Sequence, residues 1–430
     1  MAQLVQSFLD QIREQHADND EGAPADYIPE LRRVDPNRFG LSLSMADGYV
    51  YESGDTAIEF TIQSISKPFT YALALERMGM DAVDAKIGVE PSGEAFNQIS
   101  VDETTKTPMN PMINAGAIAA ASLIPGATAD ERFNQIHEFY SAFAGRELAI
   151  DHDVYGSEQA TGSRNRAIAY MLQSFGVLDG DPDETLDVYF RQCSIKVTST
   201  DLAVMAATLA RGGVEPVAGR RVASAAVVQR TLSVMVMCGM YDAARDWASA
   251  VGMPAKSGVG GGIAAVLPGQ LGIGVYSPRL DTKGNSVRGT QVCRSMSAEL
   301  GLHFLAHTRE SRSTIRNAYD VEPGVRVFEL HGDLLFAGAE QVLRRVYRER
   351  DAFDVAILEL SRVDDIDDAA RRMFAGMRES LVAAGREGYV VDPDRVLTAS
   401  HTEGFDAKVY GTLEEALSAT ANLGSGDSGG

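Results

Sequence analysis

The feature that most constrains this fold is a change of rhythm near residue 310. The stretch "ESRSTIRNAYDVEPG" is polar, broken by Pro and Gly, and divides two different patterns. Before it, helical segments such as "SKPFTYALALERMG" and "TDLAVMAATLARGG" end in glycine, a good helix stop. Around Lys256, "SGVGGGIAAVLPGQLGIGVYSP" sets two apolar, β-compatible runs on either side of "PGQ", the pattern of a hairpin. "RGTQVCRSMSAELGLHFLAHTRE" returns to helical spacing. The expected first domain, residues 1–312, is α+β, a helical cluster against an antiparallel sheet. After a linker over 313–323, "VRVFELHG", "DVAILELS" and "REGYVVD" read as short strands. They alternate with the helix-forming "DDAARRMFAGMRESLVAAG" and "TLEEALSATANLG", so residues 324–422 are expected to form a small α/β domain. Residues 423–430 read as a flexible tail.

A chain of 430 residues, 45% hydrophobic and 23% charged, is long enough for two cores. With 39 basic and 60 acidic residues its formal net charge is −21, which disfavours nucleic acid and anionic membranes as partners. The first twenty residues mix acids into their apolar positions, and no run reaches membrane-spanning length, so a cytoplasmic protein is expected. Cys193, Cys238 and Cys293 are too widely spaced for a disulfide or zinc framework and read as buried thiols. His303 and His307 are four apart, as metal ligands can be, but no third ligand is in register; neither a metal nor a cofactor is expected.

Chemistry concentrates in "FTIQSISKPF". Serine becomes a nucleophile when a base takes its proton, and a lysine serves once burial or positive potential lowers its pKa. On a helix, Ser64 and Lys67 lie three apart on one face. Pro68 is tolerated only near a helix start, so the helix must begin close to Ser64, at the positive end of its dipole. Ser66 lacks the one-turn relation to Lys67. Alone, Ser64-x-x-Lys67 reads first as a serine cap followed by a solvated lysine. Lys256-Ser257-Gly258, opening the first arm of the hairpin, adds the K-[ST]-G strand that S-x-x-K acyltransferases set beside the nucleophile. The glycines after it are expected to let a substrate approach the backbone.

In order along the chain, "DYIPEL", "FTIQSISKPF", "EPSGEAFN", "NPMINAGAI", "SEQATGSRNRAIAY", "YFRQCSIKVT", "MCGMYD", "PAKSGVGGGI" and "DTKGNSVRG" resemble the signature blocks of serine-dependent glutaminases. The fold of that family is related to β-lactamases and penicillin-binding proteins. The resemblance implies hydrolysis of L-glutamine to glutamate and ammonia without a cofactor, by a homodimer or homotetramer. It places the nucleophile at Ser64 and its base at Lys67. It puts glutamine-binding positions at Asn114, Glu158, Asn165, Tyr189, Tyr241 and Val259, with Tyr27 lining the pocket. Glu158 suits the substrate ammonium, while Asn114, Asn165 and tyrosine hydroxyls suit its carboxylate and amide. Val259 would lend its backbone N–H, with that of Ser64, to an oxyanion hole, and Tyr241 or Tyr27 would relay a proton to the leaving ammonia.

"VRVFELHGDLLFAGAEQV" and "DVAILELSRVDDIDDAARRMF" are similar to STAS domains, modules of the anti-sigma-factor-antagonist type. Where signalling members carry an aspartate followed by a phosphorylated serine, this chain has Asp367-Asp368, which removes the hydroxyl acceptor and leaves a fixed negative charge at a helix start. Two rivals stand beside a glutaminase. Another S-x-x-K acyl hydrolase, a β-lactamase or peptidase, calls for an S-D-N block before the KSG strand and leaves the pocket blocks unexplained. A STAS-type regulatory protein with an inactive catalytic domain is opposed by the intact Ser64 and Lys67.

Overall fold

The computed structural model describes residues 2–91, 101–102, 104–305, 314–397 and 408–421. The chain divides into two compact units, Met1–His307 and Thr308–Gly430. Most of the "EPSGEAFN" block, His307 and the tail expected over 423–430 lie outside the described residues.

The first unit is built on a five-stranded antiparallel sheet, in the order Val50–Gly54, Gly40–Met45, Leu271–Tyr276, Gly262–Leu267, Ala255–Ser257. The period-2 pattern of "LGIGVY" explains how its centre is covered. Leu271, Ile273 and Val275 join Leu41, Leu43 and Ile263 in one apolar cluster, which also takes in residues of helices Ala2–Ala17 and Val287–Leu300. The alternate residues, Gly272 and Gly274, meet the Ser199–Ala210 helix at van der Waals range. A Cβ on Gly274 would lie 1.9 Å from the carbonyl oxygen of Ser199, and one on Gly272 would lie 2.2 Å from the nitrogen of Ala207. That helix is rich in alanine, so backbone packs almost on backbone, and its start is fixed by a capping box between Thr198 and Asp201. On the far side of this helix lies the larger helical core, which includes Phe69, Ile118, Tyr140, Phe143 and Ile168.

The KSG segment is not the first arm of a hairpin, as expected, but a separate short strand. Ala255–Ser257 pairs antiparallel with Gly262–Leu267, and the hairpin across "PGQ" is formed by Gly262–Leu267 and Leu271–Tyr276. The Val287–Leu300 helix stops at Gly301, in the left-handed region at φ 66°, so His303 lies beyond it rather than on a helical face.

In the second unit the sheet order is Val409–Tyr410, Glu387–Val391, Val355–Glu359, Val325–Leu330, Ile315–Glu322. The first four strands run parallel, and Ile315–Glu322 is an antiparallel edge. Helices Phe336–Glu349 and Asp368–Ala383 contribute to the larger of this unit's two apolar clusters, and Leu413–Ala421 to the other. The expected linker over 313–323 is thus mostly strand. Its polar composition belongs to an edge with one neighbour and much of its surface in water, a signal that local sequence does not separate from a loop. Asp367 caps the Asp368–Ala383 helix, accepting from the nitrogen of Ala370 at 2.6 Å.

Replacing Gly274 by alanine sets a methyl against a helix backbone held at both ends. The expected result is a loss of about 1–3 kcal/mol of stability, read as a lower denaturant midpoint in urea unfolding.

Candidate active site

The segment that carries Ser64 is short and tightly turned. After the strand Phe60–Thr61, residues Gln63–Ser66 form a single 3₁₀ turn that leads into the helix Lys67–Met78, with Pro68 in its first turn. Proline is at home there because the N–H it lacks would have no partner in the helix. Gln63 is left-handed at φ 49°, as is Tyr241 at φ 52°; two such residues beside Ser64 mark strain of the kind that collects at functional sites. The glycines after Lys256 serve this turn. A Cβ on Gly260 would stand 2.8 Å from the carbonyl oxygen of Thr61, and one on Gly262 would stand 2.6 Å from Ile65 Cδ1. They make room for the turn that carries Ser64.

A cavity of about 340 Å³ opens on Ser64 and is also lined by Tyr27, Asn114, Glu158, Asn165, Tyr189 and Val259. Seven of the nine residues expected at the site therefore share one space. The other two adjoin it: Lys67 is completely buried and donates from Nζ to Asn114 Oδ1 at 2.7 Å, while Tyr241 interacts with Ser64 through its hydroxyl and donates to the Ser257 carbonyl at 3.2 Å. The two serines separate clearly. Ser64 is 8% exposed and lines the cavity, whereas Ser66 has no exposure and its Oγ accepts from Gln192 at 3.3 Å.

Glu158 lies at the end of the cavity nearest Tyr27. Its Oε1 accepts from the Tyr27 hydroxyl at 2.7 Å and from Gln63 Nε2 at 3.2 Å. Burial raises its pKa, and the two hydrogen bonds oppose the rise. Tyr27 stands on a loop anchored by its neighbour Ile28, which packs with Leu31 and Val154 in a small cluster that Val259 also touches. Asn114 starts its helix and donates to Asn165 Oδ1 at 3.0 Å. Asn165 is in the first turn of Ser163–Ser174, so the positive end of that helix faces the cavity. Gln63, Thr161, Gly162, Arg164 and Cys193 also line the space and were missed in the sequence. All five stand inside the signature blocks quoted above, with Gln63 immediately before Ser64, but nothing local sets them apart from their neighbours.

Two buried lysines give the site its electrostatics. Burial lowers Lys67 to about 8. Lys256, also fully buried, is pushed well below its ordinary value, first by burial and then by the charge of Lys67. Its Nζ donates to the Ser257 carbonyl at 2.6 Å and lies 3.9 Å from the centre of the Tyr241 ring. Burial drives Tyr241 up to about 12 despite its bonds to Ser64 and Ser257, and drives the Cys193 thiol up to about 12 as well. Among the described residues no group of three or more His, Cys, Asp or Glu side chains could hold a metal ion.

The folded protein therefore binds fewer protons at Lys67 than the unfolded chain between pH 8 and the ordinary lysine value of 10.5, and stability from this group rises with pH across that window. Lys67→Met removes the dependence. The stability difference between variant and parent, from urea unfolding, is expected to shift in favour of the parent as pH is raised from 8 to 10.5.

A model of the family described as Glutaminase matches residues 22–305, and a STAS domain model matches residues 318–416. The chain is 47% identical over 401 residues to Glutaminase 2 of Bradyrhizobium diazoefficiens, covering 89% of this chain and 64% of that protein. It is 44% identical over 396 residues to the glutaminase of Corynebacterium glutamicum, covering 91% of this chain and 95% of that one. The chain thus spans a little under two thirds of the first relative and nearly all of the second. The solved structure of Mglu shares 43% identity with a TM-score of 0.84, over 91% of this chain and 99% of Mglu. With a family match over most of its length and relatives this similar, the chain belongs to the glutaminase family and carries a STAS domain after the glutaminase domain.

Proposed function

We propose that this protein hydrolyses L-glutamine to L-glutamate and ammonia through a γ-glutamyl ester on Ser64, with Lys67 as the base. The observation that carries this reading is one cavity with Ser64 in its wall, an anion at one end, and a fully buried lysine one turn from the serine. Glutamine carries both charges of an amino acid on one carbon. Glu158, held by Tyr27 and Gln63, takes the ammonium, while Asn114, Asn165 and the helix start at Ser163 face the carboxylate and the amide, with Tyr189 closing the wall.

With a pKa near 8, Lys67 is neutral in about a tenth of molecules at pH 7 and can take the Ser64 proton as Oγ attacks the δ-carbonyl. The backbone N–H groups of Ser64 and Val259 receive the oxyanion. Tyr241, in contact with Ser64 and kept protonated by its raised pKa, gives its proton to the leaving amide nitrogen, which departs as ammonia, and is reprotonated by the proton Lys67 took from Ser64; Tyr27, committed to Glu158, orients that carboxylate instead. Water then attacks the ester, the neutral Lys67 takes its proton, and that proton returns to Ser64 Oγ as the ester breaks and glutamate is released. Mglu has been solved in a glutamate form, and glutamate is the product this cycle leaves in the cavity.

Among the described residues no helix is long and apolar enough to cross a membrane, and Cys193, Cys238 and Cys293 are free and buried. The free thiols fit a reducing cytoplasm, and the family resemblance supports a homodimer or homotetramer.

Ammonia release from L-glutamine is expected to fall at least about a thousandfold in Ser64→Ala and in Lys67→Ala, with folding retained by circular dichroism; near-parent activity in either variant removes the mechanism. In the parent, kcat/KM should rise about tenfold per pH unit below 8 and level off above it, whereas a flat profile from pH 6 to 9 argues against Lys67 as base. Glu158→Gln should raise KM for glutamine by at least about tenfold, since it strips the charge opposite the substrate ammonium.

A further inference from the structure

The proposed cycle gives no task to the second buried lysine of the site. Lys256 has no exposure, and holding its amine or ammonium out of water costs free energy that an apolar side chain of similar length would not. Its contacts all lead to Tyr241. Lys256 Nζ donates to the Ser257 carbonyl at 2.6 Å and stands 3.9 Å from the centre of the Tyr241 ring. The Tyr241 hydroxyl donates to that same carbonyl at 3.2 Å and also interacts with Ser64. The carbonyl belongs to the strand Ala255–Ser257, and the Ser257 side chain is tied down by a bond from its Oγ to Asn285 Oδ1 at 2.6 Å. Lys256 thus meets Tyr241 twice, at the ring and through an acceptor that both residues share.

We infer that Lys256 is a positioning residue for Tyr241, holding its ring in place and keeping the Ser257 carbonyl bonded when the tyrosine hydroxyl turns from it to the leaving nitrogen. The inference rests on the proposed role of Tyr241 as the acid. A carbonyl oxygen has two lone pairs, and the lysine makes the shorter of these two bonds, so the departing hydroxyl does not strand a buried acceptor. Tyr241 also needs support of this kind, because its backbone is left-handed at φ 52°, a conformation that lasts only where surrounding contacts enforce it. Charge on Lys256 is not required. Burial and the neighbouring Lys67 hold it well below its ordinary value, and it has an N–H to give to Ser257 in either protonation state. Burial is what lowers Lys67 to about 8, so the role of Lys256 is separable from that of the base.

The test is a double-mutant cycle on the full chain, with ammonia release from L-glutamine followed from pH 6 to 9 in the parent, Lys256→Met, Tyr241→Phe and the double variant. Lys256→Met is expected to lower kcat at least about tenfold, with KM within about twofold of the parent and the inflection near pH 8 unmoved. Tyr241→Phe alone should lower kcat at least about a hundredfold. Adding Lys256→Met to it should change kcat by less than about twofold, because the hydroxyl through which the lysine acts is already gone. Lys256→Gln keeps a neutral N–H donor and should recover part of the lost kcat; it also carries the cycle if circular dichroism shows Lys256→Met to be unfolded. Near-parent kcat in Lys256→Met, equal losses with and without the Tyr241 hydroxyl, or unfolding of both lysine variants would each overturn the inference while leaving Ser64 and Lys67 in their roles. Near-parent kcat in Tyr241→Phe removes the acid and the inference with it, whereas a parent inactive on glutamine removes the proposed function itself.

Discussion

The burial of Lys67 is the constraint on which the catalytic unit turns. An ammonium taken wholly out of water is costly, and the protein meets that cost with a hydrogen bond to Asn114 Oδ1 and a pKa lowered to about 8. Asn114 in turn donates to Asn165, so the chain of contacts that holds the lysine also fixes one wall of the cavity. Lys256, dry and even further depressed, stands under the Tyr241 ring, and Tyr241 reaches Ser64. Lys67, Tyr241 and one wall of the cavity are held by a few buried contacts, so their geometry is set by the fold itself.

Burying those lysines requires close approach of helices and sheet, and the sequence achieves this by removing side chains. Gly272 and Gly274 seat the Ser199–Ala210 helix on the central strand, while Gly260, in the loop after the KSG strand, and Gly262, at the start of the next strand, make room for Thr61 and Ile65 on either side of Ser64. These contacts leave no room for a methyl group.

The two units carry opposite electrostatic designs. The glutaminase domain sets a buried anion, Glu158, in its cavity, whereas the STAS domain lines a groove with arginines. Asp367 spends its carboxylate on capping the Asp368–Ala383 helix, and the next residue, Asp368, stands where the signalling members that the chain resembles carry the phosphorylated serine and offers no hydroxyl.

Much of this was legible in the linear chain. Pro68 fixed where the helix after Ser64 begins, and the spacing of Ser64 and Lys67 put both on one turn, because proline restricts φ and helical period is local. The strands and helices of the second unit could be read from their alternation, and the family from nine ordered blocks. Tertiary structure decided what depends on distant partners. Ser66 is consumed by Gln192, 126 residues away, which leaves Ser64 to face the cavity. Gln63 joins the site through its bonds with Glu158 and Tyr27, and Arg164 because its helix starts at the rim. The stretch read as a linker became an edge strand because Val325–Leu330 offered it a ladder of hydrogen bonds. Local sequence specifies φ, period and cap, but burial and pairing are properties of the assembled chain, and burial is what lowers the Lys67 pKa to about 8.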